Sequence, residues 1–359
     1  MVYNFSAGPA MLPAPVLKKV QAELLDWQGL GVSVMEMSHR DPIYVQMTET
    51  AEQDLRDLMA IPDNYAVLFM HGGGRGQFSA VAQNLAGPTA TVDYLNTGIW
   101  SDFAIREAQK YVSHVNVLDV MTEIDGLKQV KAPEQWALSE QAAYFHYCPN
   151  ETVDGIAVHE VPNVRAPVVA DMSSMILSEP IDVSKFGVIY AGAQKNIGPS
   201  GLAVVIIRKD LLETQQNSVC TIMNYKVQAA EKSMYNTPNT FAWYLAGEVF
   251  KWLKAEGGVE AMADLNIRKS SLLYECVDNS TFYENRIHLK NRSKMNVPFQ
   301  LKNAALDEQF LHEAEQEGLL ALKGHRFVGG MRASMYNAMP YEGAEALVDF
   351  MTRFANKHK

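Results

Sequence analysis

Cysteine is scarce in this chain. Its three, Cys148, Cys220 and Cys276, are far apart, odd in number and form no CxxC pair. That spacing argues against a disulfide framework or a zinc knuckle and for a reducing compartment, and no metal site is expected. No run of 18 or more apolar residues occurs, and the opening MVYNFSAGPAMLPAPVL has no basic stretch ahead of an apolar one. Neither a membrane span nor an export leader is expected, which leaves a cytoplasmic protein. Positive charge is not in excess: 31 Lys+Arg face 41 Asp+Glu, a net −10 over 359 residues. Such a body repels nucleic acid and anionic membranes, so any anionic ligand must find a local basic pocket. Internal repeats, low-complexity tracts and like-charge blocks are missing, as are GxxxxGK[ST], GxGxxG and GxSxG. A P-loop and a dinucleotide fingerprint are therefore unsupported. A serine hydrolase would need the absent elbow, although His71-Gly-Gly-Gly74 looks like an oxyanion-hole segment.

With 48% hydrophobic residues the chain is too apolar for disorder, and its length suggests two domains. Apolar spacing predicts helices over 16–28, 45–59, 77–85, 101–110, 241–255, 259–277, 307–317 and 343–354. Short apolar runs bounded by turn residues predict buried strands over 66–70, 91–95, 142–147, 168–170, 188–190 and 202–207, with another over 295–301. Strands alternating with helices indicate an α/β chain with a mostly parallel sheet covered on both faces.

Four segments could carry chemistry. In Phe186-Gly-Val-Ile-Tyr-Ala-Gly-Ala-Gln-Lys195-Asn-Ile-Gly-Pro-Ser-Gly201 an apolar strand runs into a lysine, at the sheet edge where open α/β folds hold ligands. A buried amine there could form a Schiff base with an aldehyde cofactor, though a solvated loop lysine would read the same on spacing alone. Asp171 ends the neighbouring apolar run 24 residues earlier. It is either a turn or N-cap aspartate or the partner of a protonated pyridine nitrogen. Met70-His-Gly-Gly-Gly-Arg-Gly-Gln77 joins a strand to a helix; its glycines are either a tight turn or a backbone cradle for a phosphate. Trp100 follows a strand, where an indole packs in the core or stacks on a flat ring. Basic residues recur as His39-Arg40, His325-Arg326 and Arg332, either solvated or together forming an anion pocket.

These segments, with NFSAGPAMLP, SVMEMSHR, HYCPNETVDGI, NTPNTFAWYL and GHRFVGGMRASMYNAMP, resemble the phosphoserine aminotransferases. These are class-V, pyridoxal-phosphate enzymes of fold type I, and the likeness runs through nearly the whole chain. One departure stands at the start, where Ser6-Ala7-Gly8-Pro9 replaces an expected Ser-Ser-Gly-Pro. The resemblance implies a mostly parallel seven-stranded sheet in a large domain (16–264), preceded by an arm (1–15) and followed by a smaller C-terminal α/β domain (265–359). It implies transamination between O-phospho-L-serine and 2-oxoglutarate, and a second role with 4-phosphooxy-L-threonine in pyridoxine synthesis. Lys195 would be the Schiff-base lysine and Asp171 the partner of the ring nitrogen. Gly74, Arg75 and Gln194 would contact the cofactor phosphate, Trp100 would stack on the ring, and Thr152 would lie by its phenolic oxygen. Asn236 and Thr237 would reach the phosphate in a neighbouring subunit, implying a homodimer with shared sites. Arg332 would bind the substrate α-carboxylate, with His39, Arg40, His325, Arg326 and Arg75 at the substrate's distal phosphate or carboxylate. Relatives acting on alanine, glyoxylate or cysteine sulfur would have no need of the two His-Arg pairs.

Overall fold

The computed structural model describes residues 1–214 and 219–358. In chain order the elements are β1 (Tyr3–Asn4), α1 (Ala14–Glu23), α2 (Pro42–Met59), β2 (Tyr65–His71), α3 (Gly73–Leu85), β3 (Thr91–Asn96), α4 (Ile99–Ala108) and β4 (His114–Asp119). Next come β5 (Met121–Ile124), β6 (Leu127–Val130), β7 (Ala142–Tyr147), β8 (Val168–Asp171), β9 (Val188–Gly192), β10 (Leu202–Arg208), α5 (Tyr225–Ala230) and α6 (Thr240–Ala255). The chain closes with α7 (Gly258–Asp278), β11 (Tyr283–Glu284), β12 (Asn296–Leu301), α8 (Asp307–Gln316), β13 (Leu319–Leu320), β14 (Met331–Ser334) and α9 (Tyr341–Lys357).

Seven strands form one sheet in the order β2-β10-β9-β8-β7-β3-β4. β10 runs antiparallel to both its neighbours, and the other pairings are parallel. Strands β8 and β9 are buried along their whole length, which is why they read as unbroken apolar runs rather than alternating ones. Successive side chains still point to opposite faces. Phe145, Ala170, Ile189 and Val204 join one core layer with α2 and α6. Tyr144, Val169, Tyr190 and Val205 join the other, with α3 and α4. The expected mostly parallel seven-stranded sheet is thus present, and β2, β3, β7, β8 and β9 all end on one edge.

A third core lies under the three-stranded sheet β11-β12-β14, packed by α7, α8 and α9. At its centre Phe310 meets Tyr283, Phe299, Phe350 and Phe354 edge-on, with ring centroids 5.0 to 6.1 Å apart. The first residues belong to this region as well. β1 pairs in parallel with β13, and Phe5 is fully buried there.

Several boundaries differ from the sequence reading. α1 stops at Glu23 instead of continuing to residue 28, because the Leu24 and Leu25 that extended its apolar period are exposed and Asp26 turns the chain by accepting from the Gly31 N–H. α2 starts three residues earlier than expected. Pro42 fits the first turn, where its missing N–H costs nothing, and the Asp41 side chain caps Ile43 N. Strand β4 and the β5–β6 hairpin were not expected at all.

Candidate active site

The shared strand edge surrounds a cavity of 330 Å³, lined by residues that include Gly72, Gly73, Gly74, Arg75, Trp100, Thr152, Asp171, Ser173, Gln194 and Lys195. Two strands set its floor. β8 delivers Asp171 at its last residue, and β9 runs out at Gly192, three residues before Lys195. The Asp171 carboxylate is buried, and its Oδ1 accepts from Ser173 N at 3.0 Å and Ser173 Oγ at 2.6 Å. Burial pushes its pKa up, while the Ser173 donors and the Lys195 charge act against that shift. Its second oxygen, Oδ2, has no protein donor among the described residues, leaving an acceptor open toward the cavity.

Lys195 is only 7% exposed, and its Nζ donates to Thr152 Oγ1 at 2.6 Å. Burial lowers its pKa to about 8, partly offset by Asp171 and Glu151. The neutral, nucleophilic form is therefore far more accessible than in a solvated lysine. The Trp100 ring flanks it, with Nζ 5.7 Å from the ring centroid. That indole is anchored by the backbone at the start of α4: Glu151 accepts from Trp100 N and Ser101 N, and Asp154 accepts from Ile99 N. Burial raises the Glu151 pKa to about 7.

The opposite wall is the start of α3. Its N-cap is Gly72, at φ 89°, so no side chain caps the first turn and its N–H groups stay free for an anion. Gly72 and Gly73 hold positive φ, 89° and 59°, a conformation that favours glycine, and the neighbouring glycines sit close to the cavity floor. A Cβ on Gly74 would stand 3.1 Å from Ser173 Oγ, and one on Gly192 would stand 2.6 Å from Gln194 Oε1. The Arg75 guanidinium lies over Trp100 and Phe103, at 5.4 and 4.5 Å.

Gly74, Arg75, Trp100, Thr152, Asp171, Gln194 and Lys195 are thus brought together. Arg332, on β14, is largely buried, with Nε and Nη1 unpartnered, and its charge acts on Lys195 and His325. Burial together with Arg332 and Arg326 lowers the His325 pKa. Arg326 is exposed and stacks on Phe327 at 4.7 Å. Arg332, His325, Arg326, His39, Arg40, Asn236 and Thr237 do not line this cavity, and Arg40, Asn236 and Thr237 are exposed.

Several residues that shape the site went unnoticed in the sequence. The serine two positions after Asp171 was available as an Asx-turn signal, in which an aspartate binds backbone two residues on. Glu151 and Asp154 sat unremarked inside the NETVD segment. The N-terminal arm, marked by its NFSAGPAMLP segment, also walls the site. Gly8 packs against Gln194 and Lys195, and Ala10 N donates to Gln194 O at 2.9 Å.

Residues 2–347 match the family described as aminotransferase class-V. A phosphoserine aminotransferase of Idiomarina loihiensis is 67% identical over 356 residues, 99% of each chain. Among solved structures, the phosphoserine aminotransferase of Bacillus circulans subsp. alkalophilus superposes with TM-score 0.95 at 40% identity, covering 100% of this chain and 99% of that one. A phosphoserine aminotransferase from Trichomonas vaginalis with pyridoxal phosphate bound gives TM-score 0.93 at 44% identity, covering 98% of this chain and 100% of that one.

Proposed function

Since the chain belongs to the class-V aminotransferases, we infer that it is a pyridoxal-phosphate enzyme moving the amino group of O-phospho-L-serine to 2-oxoglutarate, giving 3-phosphooxypyruvate and L-glutamate. The observation that carries this reading is the buried Lys195 amine in one cavity with the Asp171 carboxylate and the uncapped start of α3.

The residues present fit the cofactor. Asp171 Oδ2 lacks a protein donor and suits a protonated ring nitrogen, and the free N–H groups of Gly73 and Gly74 with Arg75 and Gln194 suit a phosphate. Trp100 offers a ring face, and Thr152 lies at the lysine. Bound pyridoxal phosphate supplies an aldehyde carbon that takes up an amine and a cationic ring that withdraws electrons from it.

The chain's own groups do the rest. Lys195, neutral in part because it is buried, takes a proton at the substrate Cα and returns it on the other side of the transfer. Asp171, held by Ser173, keeps a positive charge favourable at the ring nitrogen. Arg332 presents two unpartnered N–H groups suited to the substrate α-carboxylate. His325, Arg326 and Arg75, with His39 and Arg40, form the cationic set that accepts either the phosphate of phosphoserine or the distal carboxylate of glutamate.

Further parts of the reading are proposals of the same kind. Asn236 and Thr237, both exposed, act at the cofactor phosphate in the site of a second copy, so the enzyme works as a homodimer. The chain divides into an arm (1–15), a large domain (16–264) and a smaller domain (265–359), in keeping with the separate core under β11, β12 and β14. No described helix is long and apolar enough to cross a membrane, and the site of action is the cytoplasm. 4-Phosphooxy-L-threonine is a second substrate.

The test is to titrate the yellow purified protein separately with O-phospho-L-serine and with glutamate and follow conversion of the cofactor to its amine form. Both should convert it, and Lys195→Ala should abolish both the visible band and turnover. No response to the phosphorylated amino acid would point to a relative acting on other amino acids.

A further inference from the structure

We propose that Asn196 is a positioning residue: with Asn266 and Asn337 it forms a clamp of buried amides that fixes Lys195 relative to Asp171 and ties both to the strand of Arg332. Asp171 is placed by the sheet itself, paired opposite Tyr190. Lys195 is not, because it lies beyond the last ladder pair of β9, Gly192 with Ala203. Something else must hold it.

The segment after Asp171 turns back on itself, with Ile176 N donating to Met172 O at 2.8 Å. At its exit stand three successive carbonyls, those of the buried residues Ile176, Leu177 and Ser178. A buried carbonyl needs a donor, and each of these takes one from an asparagine on a different element. Asn196 donates from Nδ2 to Ile176 O at 2.9 Å, Asn337 to Leu177 O at 2.7 Å, and Asn266 of α7 to Ser178 O at 3.1 Å. Carbonyls only accept, so these bonds fix which way each amide faces. The oxygens of two of them then join the three together. Asn196 Oδ1 accepts from Asn337 N at 3.0 Å, and Asn337 Oδ1 accepts from Asn266 Nδ2 at 2.9 Å. All three side chains belong to residues 0 to 5% exposed. Leu177, at the centre, holds φ 62°, a left-handed conformation that a leucine keeps only where its surroundings over-determine it.

The far side of the clamp is itself held. The Lys269 ammonium binds the carbonyls of Met335, Tyr336 and Met339, on either side of Asn337, at 3.3, 2.7 and 2.9 Å. The Tyr336 hydroxyl donates to Ala7 O at 2.9 Å, which brings in the N-terminal arm. Arg332 lies on β14, just before this turn. One network therefore sets the amine, the ring-nitrogen carboxylate and the guanidinium suited to the substrate α-carboxylate in a common frame, and proton transfer at a single atom depends on such placement.

The proposal rests on Lys195 being the reactive amine. It is tested on the holoenzyme with Asn196→Ala, which removes both bonds of the amide and leaves Lys195, Asp171 and Arg332 in the chain. kcat should fall about 10- to 100-fold, the cost of a misplacement on the order of 1 Å. The half-reactions with O-phospho-L-serine and with glutamate should slow by the same factor, since one lysine serves both. KM should stay within about twofold, because no substrate contact is removed. The visible circular dichroism of the bound cofactor, which reports how its ring is held, should weaken relative to the absorbance. Asn337→Ala frees the Leu177 carbonyl and breaks the link to Asn266, so both readouts should move the same way, and the double variant should lose less than the product of the two single losses. Parent kcat and dichroism in Asn196→Ala, with only a lower melting temperature, would make the asparagine a structural donor and overturn the proposal. A raised KM at unchanged kcat would place its effect on substrate binding and overturn it too. If Asn196→Ala does not fold, parent values in Asn337→Ala overturn it on their own. Failure of Lys195→Ala to remove the visible band would instead sink the functional reading beneath it.

Discussion

Ser173→Ala probes how the ring-nitrogen carboxylate is held. The serine hydroxyl donates to Asp171 Oδ1 at 2.6 Å and accepts from Gly192 N at 2.9 Å, and all three groups are buried. A charge-assisted hydrogen bond of this kind is worth about 2 kcal/mol. Alanine keeps the shape and the second donor, Ser173 N, but gives up that energy, which corresponds to about 1.5 units of carboxyl pKa. The direction is fixed by which state the bond favours. Ser173 stabilises the ionised form against burial, so its loss raises the Asp171 pKa further. A protonated Asp171 cannot favour a positive ring nitrogen, so the acid-side loss of cofactor affinity should begin at higher pH. Measuring the pyridoxal phosphate dissociation constant and kcat from pH 5.5 to 9 should show the acid limb moved upward by about 1.5 units. An unchanged limb, with only a reduced melting temperature, would refute the claim that this hydroxyl tunes the carboxylate.

Other expectations follow from buried charge. Glu151 has its pKa raised from 4.5 to about 7 by burial, so across that window the folded protein keeps a proton the unfolded chain has released. Stability should then fall as pH rises from about 5 to 7, by up to about 3 kcal/mol. Glu151→Gln should flatten that part of the melting curve against pH, and an identical slope would count against it. Lys269→Met leaves three buried carbonyls without their donor and should cost about 3 kcal/mol in chemical denaturation; a loss below about 1 kcal/mol would show that the turn satisfies itself. Arg332→Leu removes a buried guanidinium with two unpartnered nitrogens. The free protein should melt no lower, while the loss of about 2 to 5 kcal/mol of transition-state binding lowers kcat/KM for both O-phospho-L-serine and glutamate by about 30- to 5,000-fold. A selective loss for one substrate would contradict a role at the shared α-carboxylate.

The strands that hold the site were legible because burial on both faces leaves only apolar residues, as in β8, β9 and β10. β4 was not: as the edge strand of the sheet it keeps His114, Asn116 and Asp119, and a half-wet strand of six residues does not stand out from a loop. The β5–β6 hairpin does carry a local mark. Its Asp125-Gly126 turn has φ values of 53° and 76°, the doubly positive conformation that this dipeptide favours. Lys195 and Asp171 were visible because Asp171 closes an apolar run and Lys195 follows one after three small or polar residues. Ser173, Glu151 and Tyr336 were not, since a polar residue near a turn means little until folding shows what it faces. Tyr336 meets Ala7 across 329 positions, and no local pattern encodes a contact of that span.

The arm that walls the lysine has a consequence for how the protein is made. β1 has no partner until β13 exists, and Tyr3 pairs with Leu319. A ribosome that has released Lys195 has delivered the Gln194 carbonyl that takes the Ala10 N–H, but not the strand that anchors the arm's first residues. Contacts of such sequence separation form late, so the outer end of this wall is fixed only once β13 has been made.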